Sequence, residues 1–235
     1  VTRLEKAIHN NVLWYEAMCQ AHGIPRDFRP GIWLTYHEMP LFYSNVLVFS
    51  DVLETAEVEK HLQTLIALKL PFAIKDSLAR LELTPLGFQL LFEASWIWRT
   101  PNSKLKNNVD GIRWTMVQSA GELERWELAW SDEPTNQRVQ PHIFLPSLLD
   151  DESIRFIAAY RGNKIIAGVV ANLTGDVVGV SNIFAPNDAL WADCITAVTN
   201  VFPDLPLVGY EHGDTLTFAK TLGFEELGRL KVWRR

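Results

Sequence analysis

Hydrophobic positions along the chain follow two spacings. Leu4, Ile8, Val12, Tyr15, Cys19 and His22 fall three or four residues apart and stop at Gly23, which predicts an amphipathic helix. Thr2 and Glu5 precede it at capping-box spacing. A second helix is predicted over 55–69, with Val58, Leu62, Leu65 and Ile66 on one face. A third is predicted over 121–130 and a fourth over 188–202, the latter with Leu190, Cys194, Ile195, Val198 and Phe202 inward.

Short apolar runs between these helices read as strands: "NVLVFSD", "LPFAIKD", "GFQLLFEASWIWR", "IRWTMVQSA" and "LPLVGYE". From Ile154 to Ala185 three strands are joined by the tight turns "RGN" and "TGD", an antiparallel meander. Residues 24–45 are rich in proline and aromatics without a period, and loop is expected there. Residues 101–111 are polar and turn-forming, the best linker candidate. The stretch 131–151 is long and irregular, and such loops are usually functional or disordered.

Two parts of the chain share an order: helix, a strand opening with Leu-Pro, Leu-Gly-Phe, then a strand ending in tryptophan. Pro71 to Gly87 is 16 residues and Pro206 to Gly223 is 17. Gly87 to Trp96 is 9 and Gly223 to Trp233 is 10. In each, the glycine is expected to take the left-handed position that stops a helix, with the next phenylalanine dropping into the core. The architecture expected is α/β, a mixed, largely antiparallel sheet flanked by helices and present twice as two related subdomains. The first, degenerate, covers 1–100; the second, complete, covers 112–235.

Composition narrows the function. Of 235 residues 48% are hydrophobic and 21% charged, which is ordinary globular composition. A net charge of −6 carries no footprint for nucleic acid or an anionic membrane, so neither is expected as a partner. No apolar run reaches the roughly 18 residues of a membrane span, and "VTRLEKAIHNN" lacks the pattern of a secretory signal. A soluble, cytoplasmic protein is expected. Cys19 and Cys194 sit in apolar helical patterns and read as buried free thiols. His9, Cys19 and His22 read as part of a packed helix face, and no metal is expected.

The order from the meander onward, closing with "TLGFEELGRLKVW", resembles the GNAT superfamily of N-acetyltransferases, tandem in form. "KIIAGVVANLTGDVVGVSNIFA" is similar to that family's central hairpin, whose edge receives acyl-CoA. The resemblance covers 112–235 well and 1–100 weakly. It implies an acyl-CoA-dependent N-acyltransferase that takes acetyl-CoA or another acyl-CoA as substrate and a small-molecule or peptide amine as acceptor. The alternative is a catalytically inactive protein of the same fold that binds a ligand or a partner. A tandem aminoacyl-transferase resembling peptidoglycan-bridge enzymes is a third reading, which the acidic charge disfavours.

On this resemblance Ile183, Phe184, Ala185, Asn187, Ala189 and Leu190 would contact the acyl-CoA, with His212 a candidate polar contact. The family usually opens the following helix with a glycine-rich, basic loop that binds pyrophosphate. Here the place reads "APNDALWADC", with Asn187 or Asp188 in the position of a helix N-cap. The tyrosine that the family often places four residues before the glycine of Leu-Gly-Phe is Ala219 here. Glu211 is the candidate base for the acceptor amine, at the end of "LPLVGYE" beside His212 and Asp214. Asp214 also suits an N-cap. Ser181 and Asn182 interrupt an apolar strand, which either a ligand or a bulge explains. Trp14, Trp33, Tyr36, Phe42 and Tyr43 cluster in sequence, as core or as the lining of an acceptor pocket.

Overall fold

The capping box forms as its spacing predicts: the Thr2 hydroxyl accepts from the Glu5 N–H, and the Glu5 carboxylate accepts from the Thr2 N–H. The helix behind it, α1 (Arg3–Ala21), buries Ile8, Val12, Tyr15 and Cys19 of the predicted stripe, with Trp14 and Met18 beside them. The computed structural model describes residues 1–51, 55–69, 71–101, 109–131 and 142–235. Most of the expected linker (102–108) and much of the long loop (132–141) therefore lie outside the described residues.

The stretch expected as loop holds a hairpin. β1 (Asp27–Arg29) turns through Pro30 and Gly31 into β2 (Ile32–Leu34), with Arg29 paired to Ile32. Proline presets the first turn position, and Gly31, at φ 82°, takes the second, which other residues disfavour. Three-residue strands are too short to show a period.

The other predicted elements are present. β3 (Val46–Val48), α2 (Thr55–Leu68), β4 (Ala73–Asp76) and β5 (Gln89–Arg99) are followed by β6 (Arg113–Met116) and α3 (Ala120–Ser131). The meander is β7 (Ile154–Arg161), β8 (Lys164–Thr174) and β9 (Val177–Phe184). α4 (Asp188–Val201), β10 (Leu207–Glu211), α5 (Gly213–Thr221) and β11 (Glu225–Arg234) close the chain. Both Leu-Gly-Phe motifs behave alike. Gly87 and Gly223 are left-handed, at φ 81° and 87°, and Phe88 and Phe224 are buried. Each phenylalanine N–H reaches back to a carbonyl five residues earlier, on Leu83 or Ala219, as a Schellman stop requires.

The eleven strands of the described residues form one sheet, in the order β1-β2-β3-β4-β11-β5-β10-β9-β8-β7-β6. Instead of two sheets, one per half, the halves interlock. β5 lies between β10 and β11, and β11 lies between β4 and β5, so each half receives the other's last strand. The order of elements in the sequence is silent on this, because both strands find antiparallel neighbours either way. α1 and α3 cover one face, over Trp96, Phe156 and Val170, with Trp126 of α3 buried among them. On the other face α2 packs on Val46, Ile74 and Trp233, and α4 and α5 pack on Val169, Val178 and Ile97. No helix among the described residues is long and apolar enough to cross a membrane.

In both halves a parallel strand pair sits next to this interlock, but the two pairs differ. β3 and β4 pair from Val46↔Ile74 through Val48↔Asp76, and the Ser77 N–H extends the contact to the Val48 carbonyl at 2.8 Å. β9 and β10 pair only at Val178↔Leu207 and Gly179↔Val208, then separate.

Because the last strand of each half makes its ladder with strands of the other half, fragments 1–100 and 112–235 are expected not to fold separately. Circular dichroism and proton–nitrogen NMR spectra of each fragment would show unfolded chains, and mixing would restore dispersion. A dispersed spectrum from 112–235 alone would show that the interlock is dispensable.

Candidate functional site

The separation of β9 from β10 opens a cleft of about 370 Å³, lined from both faces of the sheet. Its apex is held by small residues. A Cβ at Gly209 would come within 2.9 Å of the Val180 carbonyl, so glycine lets the strands close up there. At Gly179 a Cβ would lie 2.0 Å from Asn10 Oδ1 and 2.4 Å from Asn172 Oδ1. Those two amides tie α1 to the meander: Asn10 Nδ2 donates to the Asn172 carbonyl at 2.9 Å and to Thr174 Oγ1 at 3.1 Å.

Beyond the apex β9 carries a bulge. Its register against β8 slips between Val170↔Ser181 and Gly168↔Phe184, and Asn182 takes φ 51°. Asn182 Nδ2 donates to Ser181 Oγ at 3.0 Å. Both residues line the cleft, so the polar pair in this apolar strand marks the bulge and the cleft at once. From Val180 to Phe184 on one side and Gly209 to Glu211 on the other, two strand edges face each other without a ladder between them. Edges of this kind present main-chain donors and acceptors to anything that lies between them.

Glu211 ends β10 at the mouth of the cleft, half-buried. Burial, partly countered by the Thr215 hydroxyl, raises its carboxyl above the ordinary glutamate value. His212 stands next to it, exposed, stacked on Phe92 at 5.3 Å, and takes the N-cap position of α5 without a side-chain cap bond. Asp214, expected as a cap, lies inside the first turn instead.

The α1 side of the cleft is built largely by the first half of the chain, together with Tyr210. Lys75, on β4, is fully buried, and its Nζ donates to Asn11 Oδ1 at 3.1 Å and to the Tyr210 hydroxyl at 3.2 Å. Its ammonium also lies over the Tyr15 ring at 4.8 Å and the Tyr210 ring at 4.3 Å. Burial works against the charge, but Tyr15 and Tyr210 beside it outweigh burial and hold the lysine pKa above its ordinary value. Asn11, Tyr15, Tyr43 and Tyr210 all line the cleft. The position of Lys75 in "LPFAIKD" matches that of Tyr210 in "LPLVGYE", so the repeat places them alike. Neither the cluster nor Asn10 was visible as a site in the sequence, because the contacts join residues up to 164 positions apart.

The other sequence candidates are dispersed. Ile183 lines the cleft, as Glu211 and His212 do. Phe184 turns edge-on to Trp126 at 5.2 Å. Asn187 caps α4, accepting from the Leu190 N–H at 3.0 Å. The Leu190 side chain is buried in the core, while Ala185 is half-buried and Ala189 exposed at the start of α4. Trp191, one turn in, forms part of the cleft wall and packs edge-on against Phe218. Trp14, Phe42 and Tyr43 line the cleft, whereas Trp33 is core and donates to Glu16, and Tyr36 bonds His61. Cys19 and His22 go separate ways, to Met39 Sδ and to the Ile143 carbonyl. Burial pushes the Cys19 thiol up to about 12 and raises the Cys194 thiol too, so neither is a nucleophile at neutral pH.

No protein-family model matches the sequence, and no curated protein matches it significantly. Solved structures do match the fold. A GCN5-related N-acetyltransferase from Kribbella flavida superposes with a TM-score of 0.67 at 12% identity, covering 97% of this chain and 95% of that one. A functionally unknown conserved protein from Staphylococcus epidermidis gives 0.68 at 10% identity, covering 90% and 94%. A GCN5-related N-acetyltransferase from Sphaerobacter thermophilus gives 0.53 at 11% identity, covering 81% and 71%. At these identities the likeness is one of fold: the chain has the architecture of the GNAT acetyltransferases.

The raised Glu211 carboxyl has a stability consequence. A raised folded-state pKa favours folding below the ordinary carboxylate value, and that contribution is lost as pH rises through the raised value. Glu211→Gln is therefore expected to raise the melting temperature at pH 7 by roughly 2 °C, and to leave it unchanged near pH 4. A lower melting temperature for the variant at pH 7 would show that the ionised carboxylate is held by favourable contacts.

Proposed function

We propose that the protein is an acyl-CoA-dependent N-acyltransferase whose reaction takes place in the cleft between β9 and β10. The observation that carries this reading is the parting of two parallel strands beside a bulge, with a half-buried acid on one edge. The free edge of β9 suits the amides of a pantetheine arm, which hydrogen-bond as an added strand does. An amine approaching from the α1 face would meet the thioester inside the sheet.

Glu211 is placed to accept the proton that the amine must lose, and its raised pKa brings it closer to neutral pH, where a base works best. The new C–N bond forms as the C–S bond breaks, giving an amide and a thiolate. Ala219 and Phe218 supply no acid at the place where the family often has tyrosine. Solvent then protonates the thiolate. Positioning of the two reactants supplies most of the acceleration in such a site.

The residues fit the acyl arm better than they fit the nucleotide. From Ile183 to Thr199 the sequence has no lysine or arginine, and Asp188 stands in the first turn of α4. A carboxylate at that helix end repels pyrophosphate. The same observation favours a second reading, an inactive protein that uses the cleft to bind a ligand.

We read the first half as a worn copy of the second. The shared order, the matched Leu-Gly-Phe stops and the exchanged last strands support this. So does the zipped β3–β4 pair, where Asp76 stands at the position of Glu211 but its carboxylate accepts the Leu78 and Leu81 N–H groups.

A thermal-shift titration with acetyl-CoA and with the acetyl thioester of pantetheine separates these readings. At a hundredfold excess over Kd, a ligand stabilises the fold by about 2.7 kcal/mol, a shift of several degrees. Both thioesters are expected to bind within about tenfold of each other, since 183–199 brings no lysine or arginine to the nucleotide, and both are expected to acetylate amines. A saturable shift without transfer to any amine would favour the inactive reading. No shift with either thioester would remove acyl-CoA from the cleft.

A further inference from the structure

We infer that the α1 end of the cleft is a carboxylate site, and that the acceptor is a small amine carrying a free carboxylate, such as an α-amino acid. This rests on the acyltransferase reading for the word acceptor, but the carboxylate site stands on its own geometry. Lys75 has three protons to donate and no lone pair, so its two hydrogen-bond partners must present oxygen to it. That fixes their orientation. With Asn11 Oδ1 committed to the ammonium, its amide N–H groups remain for the cleft. With the Tyr210 oxygen accepting from Lys75, its own O–H remains as well. The Tyr43 hydroxyl is buried at the same place, beside Trp14 and Asn182.

This side of the cleft therefore offers donors backed by a positive charge whose described contacts are Asn11, Tyr15 and Tyr210. A donor that already accepts from an ammonium is polarised and donates more strongly. Such a lining suits an anion. The anion must be small and attached to an apolar body, because Trp14, Phe42 and Trp130 share the lining. The volume, about 370 Å³, lies at the small end of ligand pockets, which run from about 300 to 1,000 Å³. Glu211, next to Tyr210 on β10 and so directed to the other face of the sheet, lines the same cleft, and an amine and a carboxylate on one molecule find opposite partners there.

The test compares pairs that differ only by the carboxylate: L-phenylalanine with phenethylamine, L-leucine with 3-methylbutylamine, glycine with methylamine. Calorimetry on the full chain, with and without CoA, gives the Kd of each, and the remaining L-amino acids are screened alone. At least one acid is expected to bind about thirtyfold tighter than its amine, the worth of charge-assisted hydrogen bonds. Tyr210→Phe, which removes one hydroxyl, is expected to cut that preference to under fivefold. Lys75→Met is expected to abolish it. Equal affinities within every pair, or no acid binding at 10 mM, would overturn the inference, as would a preference that survives both substitutions. The two proposals fail separately. Amino acid binding without acetyl transfer would sink the transferase and leave the carboxylate site, whereas equal transfer to phenylalanine and phenethylamine would do the reverse.

Discussion

β10 is paired to β5 along its whole length, from Leu207↔Arg99 to Glu211↔Ser95, but to β9 at two positions only. Everything about the cleft depends on that inequality. β5 in turn is held by β11 through nine paired positions at the centre of the sheet, and β9 is held by β8 on its far side. Each lip of the cleft thus belongs to a different rigid block. Closing the gap would require breaking one of these ladders, and a buried ladder bond is expensive to leave unmade. The opening is a property of the fold and not of a flexible loop.

The first half shows what happens when this tension is released. There β3 and β4 zip together past the equivalent point, with Ser77 adding a further bond, and the acid at the end of β4 turns to cap its own loop. Nothing bulges β3 as Asn182 bulges β9. The same parallel pair, next to the same kind of interlocked strand, gives a sealed sheet in one half and a cleft in the other. The difference lies in a few residues: glycines at 179 and 209 that let the apex close tightly, and a left-handed Asn182 just beyond them that turns the strand away.

The sequence disclosed the elements better than their partners. Helical stripes and the meander follow from local periodicity, and both Leu-Gly-Phe stops could be placed because a left-handed glycine has one mechanical use. The hairpin at Pro30-Gly31 was hidden by its three-residue strands. The exchange of last strands was hidden for a different reason: pairing is a long-range choice, and β5 and β11 present similar patterns to either neighbour. At the site, Glu211, His212 and Ile183 were legible from position in the chain. Lys75 was not, because a lysine in "AIKD" reads as a solvent-facing position of a short strand. It is buried because strand exchange sets β11 beside β4 and brings Tyr210 and α1 against it.

That last point joins the two halves in function as well as in folding. Lys75 stands on β4 where Tyr210 stands on β10, and the two side chains meet at one side of the cleft. β4 keeps its place in the sheet while its lysine supports a residue of the other half's cleft. The cost is a buried ammonium with tyrosine faces and an amide oxygen as its recorded company, where a methionine would pack as well and need no partners. A half whose own parallel pair is closed but which holds a charge behind the other half's opening is better understood as a wall of that cleft than as ballast.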